Sequence, residues 1–191
     1  MQQENQQVVN HYISPVFSTA NKIKRACWQL TWLLLCSWTP APLYFWRNFF
    51  VRIFGGHIGA DVHIYPTCKI WAPWLLEMDD YSCIGPGVEV YNPGGCKIGR
   101  HAILSQDAYL CGATHDYDAE NFTYIKKQII IEAYVWICAK AVVLPGVLCQ
   151  EGSVLGAASI TSKNLQPWSV YAGNPAKFVK ARNDFKNKGS V

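Results

Sequence analysis

The sequence predicts an all-β fold, a parallel β-helix of hexapeptide repeats, preceded by an aromatic and mainly helical segment. Aliphatic residues recur every six positions between residues 58 and 161, a period that fits neither an α-helix nor an isolated strand. Half of the residues are hydrophobic and 16% are charged, as expected for one folded domain rather than a disordered chain. We therefore divide the 191 residues into segments 1–57, 58–166 and 167–191.

The segment 1–57 predicts two short helices, over 22–38 and 43–54, separated by a turn at Pro40 and Pro42. The apolar run from Trp28 to Trp38 is too short and too interrupted for a membrane span, which needs about 20 apolar residues. Two uses of the aromatic surface stay open: packing on the rest of the protein or a neighbouring subunit, and shallow docking on a membrane. The polar first ten residues do not resemble a secretory signal, which favours a cytoplasmic protein.

The segment 58–166 carries the repeat. Three six-residue flats form one triangular coil, each flat points one aliphatic side chain at the axis, and successive coils stack these side chains. Fourteen of the fifteen positions are apolar, the exception being the threonine that ends the series. The positions are Ile58, Ile64, Ile70, Met78, Ile84, Val90, Ile98, Leu104, Leu110, Ile131, Ile137, Val143, Cys149, Leu155 and Thr161.

A second, often small, inward residue is expected four positions after these. The candidates are Val62, Cys68, Ser82, Val88, Ala102, Ala108, Thr114, Val135, Ala141, Val147, Ser153 and Ser159. Coils are predicted to begin near residues 58, 78, 98, 131 and 149, with two-residue bulges at 76–77 and 96–97 and a longer excursion over 116–130. The last segment, 167–191, is predicted to be a basic tail.

Net charge and cysteine spacing argue against nucleic acid and metal ions as partners. The net charge of +4 is modest and its lysines and arginines are scattered, so nucleic acid is not an expected partner. The eight cysteines form no CxxC pair and no Cys/His cluster with zinc-finger spacing. We expect reduced cysteines that act as small apolar residues, and no metal site.

His115 is the strongest catalytic candidate. It ends the third coil, where the regular repeat gives way to the excursion 116–130, and functional residues favour such breaks in a rigid scaffold. An imidazole has an ordinary pKa of about 6.5, so it can accept a proton from an attacking group near neutral pH.

Several motifs resemble one known family, the hexapeptide-repeat acyltransferases. They are THD at 114–116, VWI at 135–137, LPGV at 144–147 and AGNPAK at 172–177. FGGHIG at 54–59 and YLCGATHDY at 109–117 resemble the colanic-acid-biosynthesis type of acetyltransferase most. The resemblance implies a left-handed helix and a homotrimer with active sites in clefts between subunits. It also implies acetyl-CoA as cosubstrate and a saccharide hydroxyl, free or lipid-linked, as acceptor, in the cytoplasm or at the inner face of its membrane.

The resemblance also assigns roles on the acceptor side. It implies that His115 is the general base. Asp116 follows it directly and is a candidate to orient the imidazole, with a loop-capping carboxylate as the alternative. Asn92 corresponds to an asparagine near the acceptor, with a turn residue before Pro93 as the alternative. Trp136 would form a wall for the sugar or the pantetheine arm, with subunit packing as the alternative.

On the donor side, the resemblance implies an oxyanion contact from a backbone N–H near Ala139 and a coenzyme A groove along the last coils. The cofactor-binding positions are Ala139, Ala157, Ser162, Lys163, Lys177 and Lys180. The lysines at 177 and 180 would meet the nucleotide phosphates. Cys138 and Cys111 stand where relatives commonly have glycine, so a required positive φ or close backbone approach would alter the site.

Three alternative functions stay open at this stage. N-acetylation of an amino sugar needs nearly the same site as O-acetylation. A zinc-dependent γ-type carbonic anhydrase would need three converging histidines, usually with two of them close in sequence. The position five residues after His115, where a second ligand histidine would be sought, is Glu120. A non-catalytic trimeric scaffold or membrane-docked assembly protein would use the same fold without turnover.

Overall fold

The computed structural model describes residues 16–120 and 122–185, so the polar N-terminal stretch discussed above lies outside the described residues. Two helices come first, α1 (Thr19–Leu35) and α2 (Tyr44–Ile53). The strands are β1 His57–Ile58, β2 His63–Ile64, β3 Lys69–Ile70, β4 Leu76–Met78, β5 Cys83–Ile84, β6 Glu89–Tyr91, β7 Cys96–Ile98, β8 Ile103–Leu104, β9 Tyr109–Cys111, β10 Ala113–His115, β11 Tyr124–Lys126, β12 Ile129–Ile131, β13 Trp136–Ile137, β14 Val142–Val143, β15 Leu148–Cys149, β16 Val154–Leu155, β17 Ile160–Thr161, β18 Ser169–Ala172 and β19 Lys177–Ala181.

The strands form a left-handed parallel β-helix of triangular cross-section, as predicted. The first face contains β1, β4, β7, β12 and β15, and the second contains β2, β5, β8, β13, β16 and β18. The third face contains β3, β6, β9, β14 and β17. Each coil visits the three faces in that order, so neighbouring strands on a face are parallel and belong to successive coils.

The predicted six-residue ladders line the interior. Ile64, Ile84 and Leu104 stack on the second face with their side chains fully buried, and the other two faces repeat the arrangement. Thr161, the polar member of the series, is buried, and its hydroxyl donates to the Lys163 carbonyl at 2.7 Å. The threonine is tolerated because its hydroxyl has a partner inside the corner.

The second inward set is also buried, with one exception. Thr114 is exposed, because β10 leaves the coil and turns its side chain outward. Ala113 is the buried residue at this place. The prediction for Thr114 was therefore wrong, since it assumed that the third coil continued beyond residue 112.

The predicted bulges at 76–77 and 96–97 lie elsewhere. These residues pair in register between β4 and β7, and Lys97 forms an ion pair with Glu77 at 2.8 Å. The extra residues instead form the preceding corners, as a 3₁₀ helix over Pro73–Leu75 and a turn over 92–95. Each corner contains a proline, which fits a turn better than a ladder because it has no N–H to donate.

The ends of the repeat differ from the prediction in detail. The excursion forms a β-hairpin, in which β10 pairs antiparallel with β11, and β12 then rejoins the first face against β7. The segment predicted as a basic tail forms β18 and β19, which extend the second face as an antiparallel pair. Only the residues before 186 in that segment are described.

The helices cover the N-terminal end of the β-helix, where a stack of coils would otherwise leave its first coil open. The Trp28 indole, which is buried, donates to the Ile70 carbonyl at 2.7 Å, and Trp32 donates to the Pro66 carbonyl at 3.2 Å. Asn48 donates from α2 to the Val62 carbonyl at 2.7 Å. The inner aromatic surface is therefore used for packing on the chain's own first coil.

Arg47 is fully buried between α2 and the first coil, without a carboxylate beside it. Its guanidinium donates to the Ile64 carbonyl at 2.5 Å, to the Thr39 hydroxyl at 2.7 Å, and to the carbonyls of Pro40 and Ala41. Burial lowers the pKa of this guanidinium. The four acceptors explain how a buried cation is accommodated.

All eight cysteines are free thiols. Cys96 and Cys149 are buried on the first face, and burial raises the pKa of Cys96 to about 12. Among the described residues, neither helix is both long enough and apolar enough to cross a membrane.

Candidate active site

His115 lies at the exposed corner between the third and first faces. It is the last residue of β10, paired with Tyr124 of β11, so both strands of the hairpin hold its backbone. Its imidazole stacks on the Phe122 ring, with centroids 4.5 Å apart and planes 14° apart. The rigid coils therefore present this ring to solvent at the one place where the chain leaves the repeat.

The protonation pattern of the imidazole follows from its hydrogen bond. Nδ1 of His115 lies 2.9 Å from the backbone carbonyl oxygen of Phe122. A carbonyl oxygen can only accept, so Nδ1 carries the proton. The neutral ring then has its lone pair on Nε2, which is the atom that can act as a base.

An aromatic cluster of Phe17, Trp71, Tyr91 and Tyr124 surrounds this corner. The Tyr91 and Tyr124 hydroxyls are 2.9 Å apart, and the Tyr124 ring packs edge-on against His115 at 5.4 Å. Burial, followed by the bond to Tyr91, raises the pKa of Tyr124. Phe17 bridges Tyr124 and Trp71, which connects the start of α1 to the hairpin.

Asp116 does not contact the imidazole through its carboxylate. Its Oδ1 accepts from the Asp118 N–H at 3.2 Å, which caps the turn of the hairpin. The Phe122 carbonyl holds Nδ1 of His115 instead. The hydrogen bonds of the described residues thus give the Asp116 carboxylate the loop-capping contact and not the contact expected of an orienting group.

Asn92 is buried and both ends of its amide are in use. Oδ1 accepts from the Ala72 N–H at 3.0 Å and Nδ2 donates to the Ala72 carbonyl at 2.9 Å. These bonds replace the ladder contacts of the corner that precedes the 3₁₀ turn. A contact with an acceptor is therefore not available to this side chain, and the substrate-binding role expected for Asn92 is corrected to a structural one.

Trp136 lies on the second face with its indole exposed, and its Nε1 donates to the Ser105 hydroxyl at 2.8 Å. This bond holds the indole on the surface of the preceding coil. Cys138 follows in the same flat without positive φ, because the left-handed residue of that corner is Lys140, with φ of 59°. Cys138 is therefore accommodated without backbone strain, and burial raises the pKa of its thiol, which disfavours a competing thiolate.

Ala139 and Ala157 occupy the same corner, between the second and third faces, in successive coils. The Ala139 carbonyl accepts from the Ala158 N–H at 2.9 Å. Within the described residues the N–H of Ala139 has no acceptor, so it is available to an oxyanion or a ligand carbonyl. The small side chains leave the backbone of this corner accessible.

The other cofactor-binding candidates are exposed and lie in two places. Ser162 and Lys163 follow β17 at the corner between the third and first faces, the same edge of the helix as His115. Lys177 and Lys180 lie on β19, which folds back beside the second face. The structure thus divides the predicted site residues between two edges of the triangle.

Within one chain, the proposed base and the proposed donor residues are far apart. His115 stands on one edge, whereas Trp136 and Ala139 belong to the second face and its far corner, with the whole third face between them. One chain therefore does not bring the predicted base and the predicted donor wall together. In the described part of the chain, no three His, Cys, Asp or Glu side chains converge as metal ligands.

The carbonyl contact of Phe122 and the whole contribution of Tyr91 are the parts of the site that the sequence did not predict. Phe122 acts through its carbonyl, which leaves no mark on residue identity, and its position depends on a positive φ of 47° in the hairpin. Tyr91 could have been suspected, since it lies one coil before Cys111 on the same face and pairs with it. Its pairing with Tyr124 requires the hairpin to fold back, which the repeat does not predict.

Comparisons with known proteins agree with this architecture. No protein-family model matches the sequence. The chain is 38% identical over 166 residues to the colanic acid biosynthesis acetyltransferase WcaF of Escherichia coli, covering 87% of this chain and 91% of that protein.

Solved structures show the same fold. A hexapeptide-repeat acetyltransferase from Vibrio cholerae, solved with acetyl coenzyme A, superposes with a TM-score of 0.78 at 23% identity, covering 87% of this chain and 91% of that one. A maltose O-acetyltransferase from Clostridium difficile superposes with a TM-score of 0.78 at 19% identity, covering 87% and 90%.

Proposed function

The chain belongs to the family of the colanic acid biosynthesis acetyltransferase, within the hexapeptide-repeat acetyltransferases, and on that premise we propose that it moves an acetyl group from acetyl-CoA to a saccharide hydroxyl. The relatives' names support acetyl transfer, and the saccharide is our proposal for the acceptor. The observation that carries the proposed mechanism is the bond between Nδ1 of His115 and the Phe122 carbonyl, which leaves Nε2 free to act as a base.

The proposed reaction has two steps at His115. Nε2 takes the proton of the acceptor hydroxyl as its oxygen attacks the thioester carbonyl carbon and forms a tetrahedral intermediate. The intermediate then collapses, the C–S bond breaks, and the coenzyme A sulfur takes the proton back from the imidazolium. The Phe122 carbonyl faces Nδ1–H throughout, so it stabilises the positive ring between the two proton transfers.

The negative charge of the intermediate needs a donor that the chain does not already use. The N–H of Ala139 is such a group, and Cys138 beside it is held neutral by burial. Ala157, Ser162, Lys163, Lys177 and Lys180 remain the proposed contacts of coenzyme A. The two β19 lysines have no carboxylate partner among the described residues and could meet phosphate groups.

We propose a homotrimer as the active form, because the candidate residues lie on different edges of one chain. A neighbouring copy that presents its second face to the His115 edge would place Trp136 and the Ala139 corner opposite the base. Closed threefold symmetry makes three such clefts from one interface. We also place the enzyme in the cytoplasm.

The test is acetyl-CoA turnover, measured as release of free thiol, with a panel of neutral sugars, acidic sugars and amino sugars. We expect turnover with at least one hydroxyl acceptor, and His115→Ala should lower kcat by roughly 10²–10⁴-fold. An acceptor used only when it carries an amine would place the enzyme among N-acetyltransferases instead.

His57→Asn is the matched control, because His57 is also exposed and lies on β1, the first strand of the first face, which is separated from β12 after the hairpin by β4 and β7. This variant should keep full activity. Equal rates for wild type and His115→Ala would show that His115 is not the base. If the wild type turned over acetyl-CoA with none of the acceptors, a non-catalytic scaffold would be favoured.

A further inference from the structure

The helices have a second apolar surface, on the side away from the β-helix. We define this outer helical face by its exposed residues, several of which are more than half exposed. They are Ile23, Leu30, Leu33, Leu34, Leu35, Trp38, Phe45, Trp46, Phe49 and Ile53. Half of the large apolar side chains that the described residues expose therefore lie on one short part of the chain.

The spacing shows that this exposure is a pattern along α1. Ile23, Leu30 and Leu34 follow one another at helical spacing on the side opposite Trp28 and Trp32, which pack on the first coil. The helix is thus apolar on two opposite sides. A helix of that kind is expected to be covered on both, by protein or by lipid.

The two helices expose one continuous surface. The Trp46 indole of α2 donates to the Leu35 carbonyl at the end of α1, at 2.7 Å, so the outer sides of both helices meet there. Trp38, in the connecting turn, is 70% exposed, with its Nε1 donating to the Leu34 carbonyl. Beside it, an apolar groove of ≈ 320 Å³ opens between α1 and the third face.

The two helices themselves carry charge of one sign. Glu89 lines the groove beside them, Lys24 lies over the Trp74 ring, and Arg52 donates to the Ile58 carbonyl. The sequence contains no aspartate or glutamate between residues 16 and 60, whereas the exposed lysines Lys22 and Lys24 lie on α1. Arg25 is half-buried over the Trp71 ring, and Arg52 is exposed near the end of α2. Tryptophan and phenylalanine beside cations are the composition of an interfacial membrane anchor.

We propose that the outer helical face docks on an anionic phospholipid surface and that the protein lies on the membrane without crossing it. The helices carry no carboxylate that could pair with the cations of a second copy of this chain, which favours an anionic lipid surface as the partner. Docking also has a consequence for the site. Phe17, just before α1, contacts Tyr124 beside His115, so the hairpin is held next to the docked element.

The docking proposal does not require acetyl transfer, although it would present a lipid-linked saccharide to the proposed site. The experiment is flotation of the full chain with vesicles of phosphatidylcholine alone or mixed with phosphatidylglycerol. We expect the wild type to float with the mixed vesicles, and less so in high salt. The double variant Leu30→Gln/Phe49→Ser should lower the bound fraction by roughly tenfold or more.

Two controls make the result specific. Phe178→Ser removes an aromatic of similar exposure from β19 and should float like the wild type. His115→Ala should also float normally, so that failure of the docking proposal and failure of the proposed mechanism stay distinguishable. The proposal is overturned if the wild type stays in solution with both vesicles, or if the double variant floats equally well. It is also overturned if the double variant changes the oligomeric state of a wild type that does not float, because the outer helical face would then be a contact between copies.

Discussion

Phe122 contributes only its backbone carbonyl and one ring face to His115, yet these two contacts decide what the histidine can do. The carbonyl assigns the proton to Nδ1, and the stacked ring restricts the rotation of the imidazole. Asp116 could not replace this contact, because its carboxylate is directed at the Asp118 N–H. Main-chain geometry therefore positions the proposed base.

Arg47 is the residue that links the helices to the repeat. Its guanidinium donates to the end of β2 through the Ile64 carbonyl and to the turn between the helices through Thr39, Pro40 and Ala41. The Ile64 carbonyl belongs to the first coil, which has no coil before it to supply a donor, and the other three acceptors belong to the turn between the helices. Removing the guanidinium would leave the buried Ile64 carbonyl and the buried Thr39 hydroxyl without this donor.

We therefore expect Arg47→Met to lower the free energy of unfolding by about 2–4 kcal/mol, measured by urea denaturation. Arg52→Met is the matched control on the same helix. Arg52 also donates to carbonyls, of Ile58 and Gly59, but it is exposed, and water can replace its bonds. Its loss should cost less than about 1 kcal/mol, and equal effects of the two variants would contradict the role given to Arg47.

The hairpin formed by β10 and β11 is the element on which the site depends. Outside its own ladder, it is held to the third face through the hydroxyl pair of Tyr91 and Tyr124. Phe17 packs on Tyr124 from the other side. A loosened hairpin would move the Phe122 carbonyl and the imidazole together.

A double-mutant cycle of Tyr91→Phe and Tyr124→Phe tests this link. Each single variant strands one partly buried hydroxyl, so we expect the double variant to cost less than the sum, with a coupling of about 0.5–1.5 kcal/mol in thermal unfolding. Each variant should also lower kcat without removing the base. Additive effects on stability would show that the two hydroxyls act independently.

The sequence predicted the strands better than the corners that join them. The hexads predicted the ladders, because inward residues must repeat with the coil. The corners were less predictable: the bulges expected at 76–77 and 96–97 lie at the prolines before them, and the chain left the third coil before Thr114. Contacts such as Asn92 with Ala72 between neighbouring corners, or Tyr91 with Tyr124 across the excursion, depend on tertiary geometry that no local pattern encodes.

In the whole molecule, the β-helix holds each candidate residue on its own face and so keeps the two groups of candidates apart. Parallel stacking keeps every flat on its own face, so no rotation within one chain can bring Trp136 to the His115 edge. The helices close the N-terminal end and the β18–β19 pair extends the second face at the other. The proposed trimer would use the sides of the triangle for contacts between copies.

The trimer proposal predicts complementation between two inactive chains. If each cleft takes His115 from one copy and Trp136 from the next, every mixed trimer of His115→Ala and Trp136→Ala chains contains one cleft with both native residues. Co-expressed and tandem-purified mixed trimers should then recover about one third of wild-type activity, although each variant alone is impaired. Their mass in solution should be three times 21.5 kDa.

Mixing the separately purified variants is the control, because intact trimers that do not exchange subunits should stay impaired. A site contained in one chain would give no recovery in either case, and a monomeric mass for the active wild type would contradict the shared cleft directly.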